Sequence, residues 1–261
     1  MIKSIFSATC AAKVAAAVLL VTTMGSIASA TEIKVLSALA LESSLSGLLP
    51  EFEKSSGHKV TVVYGPAGAL VARVQKGEAV DVVIVLGPQI DNLLKEGKVA
   101  AGSRIDIAKV GISVFVRKGA AKPDISSLDA FKRSVLAAKS IAYVDPATGG
   151  ASGVYMAMLF DRLSLAEDLK PKTKLTPPPP AAFAGVASGD VEMGFNQTSE
   201  ILAAQGVDLA GPLPTEIQNY SLFAAGIVES SKQADAAKAL VTFLSSPTSV
   251  TALKAKGFET R

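Results

Sequence analysis

Four short stretches of small residues hold the chemistry that this sequence can offer. They are Ser37-Ala38-Leu39-Ala40-Leu41, Gly65-Pro66-Ala67-Gly68-Ala69, Thr148-Gly149-Gly150-Ala151-Ser152-Gly153 and Asn196-Gln197-Thr198. Each stands where an apolar run gives way to a helical pattern. In open α/β sheets ligands gather there, beyond the carboxyl ends of strands. Small side chains such as Ser37, Ala38, Gly65, Gly68 and Gly153 let a ligand approach the backbone, and a helix start offers unpaired N–H groups and partial positive charge. The chemistry expected is capture of a small anion or polar solute.

Bond-breaking chemistry has little support. The chain contains one histidine, His58, in the polar turn Ser56-Gly57-His58-Lys59, which reads as a surface position. No His-Glu-x-x-His, Cys-x-x-Cys, Gly-x-Ser-x-Gly or phosphate-loop lysine pattern occurs, so no cofactor is expected. Asp81 and Asp145 read as partners of turn and strand backbone, and Tyr155 as a packed aromatic.

The elements that would position these loops alternate along the chain. Ile33-Lys34-Val35-Leu36, Val60 to Val63, Val80 to Val85, Val110 to Val116, Ile141 to Tyr143, Met193 to Phe195 and Tyr220 to Val228 read as strands. Several are almost continuously apolar, as in parallel strands covered on both faces. Between them lie helical patterns, the first on Leu41, Leu45, Leu48, Leu49 and Phe52, where Pro50 is expected to kink or interrupt the helix. Pro177-Pro178-Pro179-Pro180 reads as a stiff connection. This order suits either one doubly wound sheet or two α/β lobes joined by crossing strands near 110–117 and 220–228.

The start of the chain reads as an address. Lys3 and Lys13 precede an uncharged stretch, Val14 to Ala30, with an apolar middle and the small-residue ending Ala28-Ser29-Ala30, the layout of a cleaved secretory signal. Its apolar part falls short of the roughly 20 residues that a membrane-spanning helix needs. The chain has 26 basic and 23 acidic side chains and one cysteine, Cys10. Two of the bases and the cysteine lie in the signal, so the mature protein is nearly neutral and thiol-free. Disulfides and thiolate metal sites are thereby excluded, and no basic stripe invites a nucleic acid.

Ile33 to Leu39, Phe52 to Val60, Gly68-Ala69-Leu70, Gly77 to Ile84, Asp145-Pro146 with Ala151 to Tyr155, and Lys256-Gly257-Phe258 together resemble the periplasmic molybdate-type substrate-binding proteins of ABC transporters. The resemblance covers nearly all of 31–261. It implies an α/β, two-lobed (type II) periplasmic binding-protein fold with two crossing strands: lobe I from 31–112 and 224–261, lobe II from 113–223. It further implies a periplasmic monomer that binds a molybdate-like oxyanion or an organic anion in the interlobe cleft and docks on an ABC permease. Ala40 and Ala67 fall where the family places ligand-binding serines. Ser152 matches a position that donates its backbone N–H, Pro179 falls where another N–H is expected, and Gln197 replaces a tyrosine. A branch of the family also resembles an exported aconitate isomerase, through Lys122 to Ser126, Asp129-Ala130-Phe131 and Gly194 to Glu200. That alternative needs a base and cations, which the four loops lack and which Arg73 or Glu216 could supply only by turning inward.

Overall fold

The computed structural model describes residues 30–260. The signal read over 1–30 therefore lies outside the described residues, apart from Ala30. Among the described residues no helix is long and apolar enough to cross a membrane.

The first lobe is built on β1 (Glu32–Ala38), β2 (Lys59–Gly65) and β3 (Val82–Leu86), with β1 in the middle and parallel to both neighbours. β3, with the sequence VVIVL, is buried along nearly its whole length because α1 (Glu42–Ser56), α2 (Ala67–Gln75) and α3 (Gly87–Lys95) cover the sheet. α1 runs unbroken through Pro50. Pro50 and Ser46, the residue whose carbonyl loses its helical donor, both lie on the exposed face, where water can satisfy that carbonyl.

β4 (Ile105–Arg117) then leaves this lobe for the next. Its first half, from Ile105 to Gly111, pairs with β9 (Tyr220–Ile227), which in turn pairs antiparallel with β3. Its second half, from Ile112 to Val116, pairs with β7 (Met193–Gln197), and Ser113 to Arg117 pair with β8 (Val207–Pro212) on the other side. The second sheet is completed by β5 (Ile141–Val144) and β6 (Thr173–Thr176), parallel to β7. α4 (Leu128–Ala137), α5 (Ala151–Arg162), α6 (Ala166–Leu169), α7 (Ala184–Ser188) and α8 (Thr198–Ala203) surround it. α9 (Ala234–Leu244) and α10 (Pro247–Ala255) return to pack on α1.

Two hydrophobic cores match the two sheets. Leu36, Leu45, Ile84, Ile90 and Phe223 belong to the first, and Phe131, Phe160 and Phe195 stack edge to face in the second. Phe115 and Phe183 form a smaller cluster on the opposite face of the second sheet. The return passage runs through 213–219, ahead of β9. There Gln218 serves Ile112 as a substitute strand: its Oε1 accepts from the Ile112 N–H at 2.9 Å and its Nε2 donates to the Ile112 carbonyl at 3.0 Å. A side chain thus fills the place at the lobe boundary where neither β8 nor β9 reaches β4.

Candidate functional site

The four loops meet between the lobes. Ala38 and Ala40 at the end of β1, Gly65 and Ala67 at the end of β2, Ser152 at the start of α5 and Gln197 at the end of β7 wall one cavity of about 30 Å³. That is room for one or two waters. The lobes are therefore closed on each other: a Cβ built on Gly68 would lie 3.7 Å from Gly149 across the seam. Ser199 on α8 also donates to the Ala40 carbonyl at 3.0 Å.

Backbone, not charge, dominates the wall. The turn Leu39–Leu41 that leads into α1, helix α2 and helix α5 all begin here, and none is capped by a side chain. Their first N–H groups have no intrahelical acceptor, so they present donors and the positive ends of their dipoles. α5 reaches the cleft because Gly153 lets it lie against the end of β5, where any Cβ would stand 2.1 Å from the Val144 carbonyl oxygen. Asn196, fully buried, holds this corner: its Oδ1 accepts from Ser152 Oγ at 2.9 Å and from the Gln197 N–H at 2.8 Å. Its Nδ2 has no hydrogen-bond partner among the described residues.

The candidate residues divide by position. Gly153 is a packing residue behind the cleft, and Gly68 faces Gly149 rather than the cavity. Ser37 is fully buried inside β1, with its hydroxyl on the Ala38 carbonyl at 3.3 Å. Gln197 is on the wall, and its Nε2 is held by Ser221 Oγ at 3.0 Å, tying the second lobe to β9. Pro178 and Pro179 form part of the wall, so the proline run shapes the cleft as well as connecting β6 to α7.

Polar groups outside the loops are engaged elsewhere. Asp81 accepts from the Lys34 N–H and from Ser231 Oγ, and Asp145 accepts from the Ala147 N–H. The Tyr155 hydroxyl donates to the Ile217 carbonyl at 2.8 Å. Arg73 forms an ion pair with Glu78, and Glu216 is exposed. His58 lies beside Phe52, with ring centroids 6.3 Å apart.

The one titratable residue of the described wall escaped the sequence reading. Glu200, in the first turn of α8, lines this cavity and also a second one of about 510 Å³ between α8, the start of α1 and Pro179-Pro180. The two cavities share Leu39, Ala40, Pro179 and Glu200. Burial first, and the charge of Glu42 second, push the Glu200 carboxyl up to about 8. No Lys, Arg or His is found among the described residues that line either cavity.

The sequence matches the family described as bacterial extracellular solute-binding protein over residues 33–259. It is 35% identical over 235 residues to an aconitate isomerase of a Pseudomonas species, covering 88% of each chain. It is 28% identical over 238 residues to the molybdate-binding protein ModA of Azotobacter vinelandii, covering 88% of this chain and 91% of that one. In three dimensions it is similar to the Azotobacter vinelandii periplasmic molybdate-binding protein, with a TM-score of 0.74 at 21% identity, covering 88% of this chain and 99% of the other. With its two lobes, crossing strand and cleft ringed by helix starts, the chain belongs to the family of bacterial extracellular solute-binding proteins.

Proposed function

We propose that the protein is a periplasmic receptor of an ABC transporter that closes its lobes on a small organic anion and presents the closed form to the permease. The observation that carries this reading is the convergence of uncapped helix starts on one cavity between two lobes. Such starts bind anions without a cationic side chain. Closure about the passages at Ile112 and Gln218 would desolvate the ligand and signal occupancy.

Two features favour an organic anion over a tetrahedral metal oxyanion. Ala40 and Ala67 supply no hydroxyl to the cleft. The second cavity, walled in part by Phe183, Ala184 and Ala187, adds room for a carbon skeleton beside the anion seat. A thermal-shift and calorimetric panel of molybdate, tungstate, sulfate and di- and tricarboxylates tests the proposal. A carboxylate binding at least tenfold more tightly than molybdate supports it. Molybdate binding more tightly than every carboxylate would overturn it.

An isomerase acting on an unsaturated carboxylate is the second reading, favoured by Glu200 and by the 35% identity to aconitate isomerase. A carboxyl that titrates near neutrality can take a proton from carbon and return it. The absence of a cation on the wall weighs against it, because three carboxylates would need neutralising. Proton NMR of cis- and trans-aconitate in deuterated water with the purified protein decides. Interconversion with deuterium uptake supports the enzyme; inert substrate removes it.

A further inference from the structure

Glu200 is the one titratable side chain among the described residues that line the cleft. No hydrogen bond or ion pair among the described residues engages its carboxyl, and it faces the cavity from the second lobe while helix starts face it from both. α8 packs on α1, β4, β7 and β8, and Glu42 of α1 is the charged group on those elements that acts on Glu200. On the wall of the adjoining cavity, Ser43 Oγ is buried without a hydrogen-bond partner among the described residues. An anion seated at the helix starts would be repelled by an ionised carboxylate on the same small wall and attracted by a neutral one, whose O–H is a donor.

We infer that Glu200 is a ligand-contacting residue that holds the anion as a neutral carboxylic acid, donating its O–H to an anion oxygen, so that each anion is captured together with one proton. The inference rests on the anion reading above and adds to it a specificity: oxygen-bearing anions that accept hydrogen bonds are retained, and ligands presenting an ammonium at this point are not. No covalent bond changes. Below about pH 8 the empty site already holds the proton, and above it the proton comes from solvent on binding.

Two measurements test this. In the ligand-free protein, carbon-13 NMR of the Glu carboxyl groups, assigned by the loss of one resonance in Glu200→Gln, is expected to show Glu200 titrating near pH 8. Calorimetric titrations with trans-aconitate and with molybdate, from pH 6 to 9.5, are expected to show affinity falling by about tenfold per pH unit above the midpoint. Glu200→Gln, with a donor that cannot ionise, is expected to lose this slope and to bind at pH 9.5 about thirtyfold more tightly than the wild type. An ordinary carboxylate midpoint overturns the inference whatever binds, as does a wild-type affinity that does not change up to pH 9.5. Failure of every anion to bind at pH 6 overturns the anion reading itself, and the inference with it.

Discussion

Placing two hydroxyl groups in the cleft should convert the protein toward tetrahedral oxyanions. Ala40 and Ala67 both line the cavity and are 3% and 4% exposed, so an added Oγ at either position stands on the closed wall rather than in open solvent. A hydrogen bond to a charged group contributes about 1.5–3 kcal/mol. The double variant Ala40→Ser, Ala67→Ser therefore gains about 3–6 kcal/mol toward molybdate or sulfate, or roughly two to four orders of magnitude in affinity. The Ala40 carbonyl already accepts from Ser199, which fixes the backbone on which the first hydroxyl would stand. Isothermal titration with molybdate, wild type against the double variant at pH 7, reads the difference directly. Submicromolar binding by the wild type, or no gain in the double variant, would refute the idea that missing hydroxyls set the specificity.

Further outcomes follow from the packing around the site. Gly153→Ala places a methyl group 2.1 Å from the Val144 carbonyl oxygen and should cost about 3 kcal/mol, lowering Tm by about 6–12 °C in a thermal melt; an unchanged Tm would show that α5 is free to shift. Gly68→Leu should wedge the lobes apart, weakening anion binding by at least about tenfold and enlarging the radius of gyration in solution scattering, while Gly68→Ala, with 3.7 Å to Gly149, should do neither. Glu200 also links pH to stability. Its folded-state pKa is raised from 4.5 to about 8, so the native state holds the proton more tightly and loses stability as pH rises from 4.5 to 8. Glu200→Gln should therefore stabilise the protein by of order 2–3 kcal/mol at pH 7, a figure already reduced for partial solvent access, and leave stability at pH 4 unchanged. Denaturant melts at the two pH values check this, and equal effects at both would contradict it.

Much of the architecture is legible in the residues because burial imposes simple patterns. Val80 to Val85 reads as a strand covered on both faces, and the strand found is Val82–Leu86. Two strands leave weaker marks. Thr173–Thr176 is short and polar, and Val207–Pro212 contains Gly211 and Pro212, residues that ordinarily signal a turn. The first half of β4 is similarly masked by Asp106 and Lys109. At the site, the loops announce themselves through small residues at strand ends, whereas Glu200 does not. An acidic residue in the first turn of a helix is ordinary dipole chemistry. Only the closing of α8 against the start of α1, a contact between lobes, buries its carboxyl beside Glu42 and gives it a different character. Ser152 shows the opposite case. Its hydroxyl looks available in sequence but is turned away to Asn196, leaving the helix start beside it to face the cleft.

An organic anion held in the closed cleft should stay with the protein through purification. The most direct test is to purify the protein from its native cells without ligand-stripping, denature it, and identify what is released by mass spectrometry alongside elemental analysis. One small carboxylate-bearing anion in near-stoichiometric amount and no molybdenum is the expected result. Stoichiometric molybdenum, or sulfate without an organic anion, would contradict it.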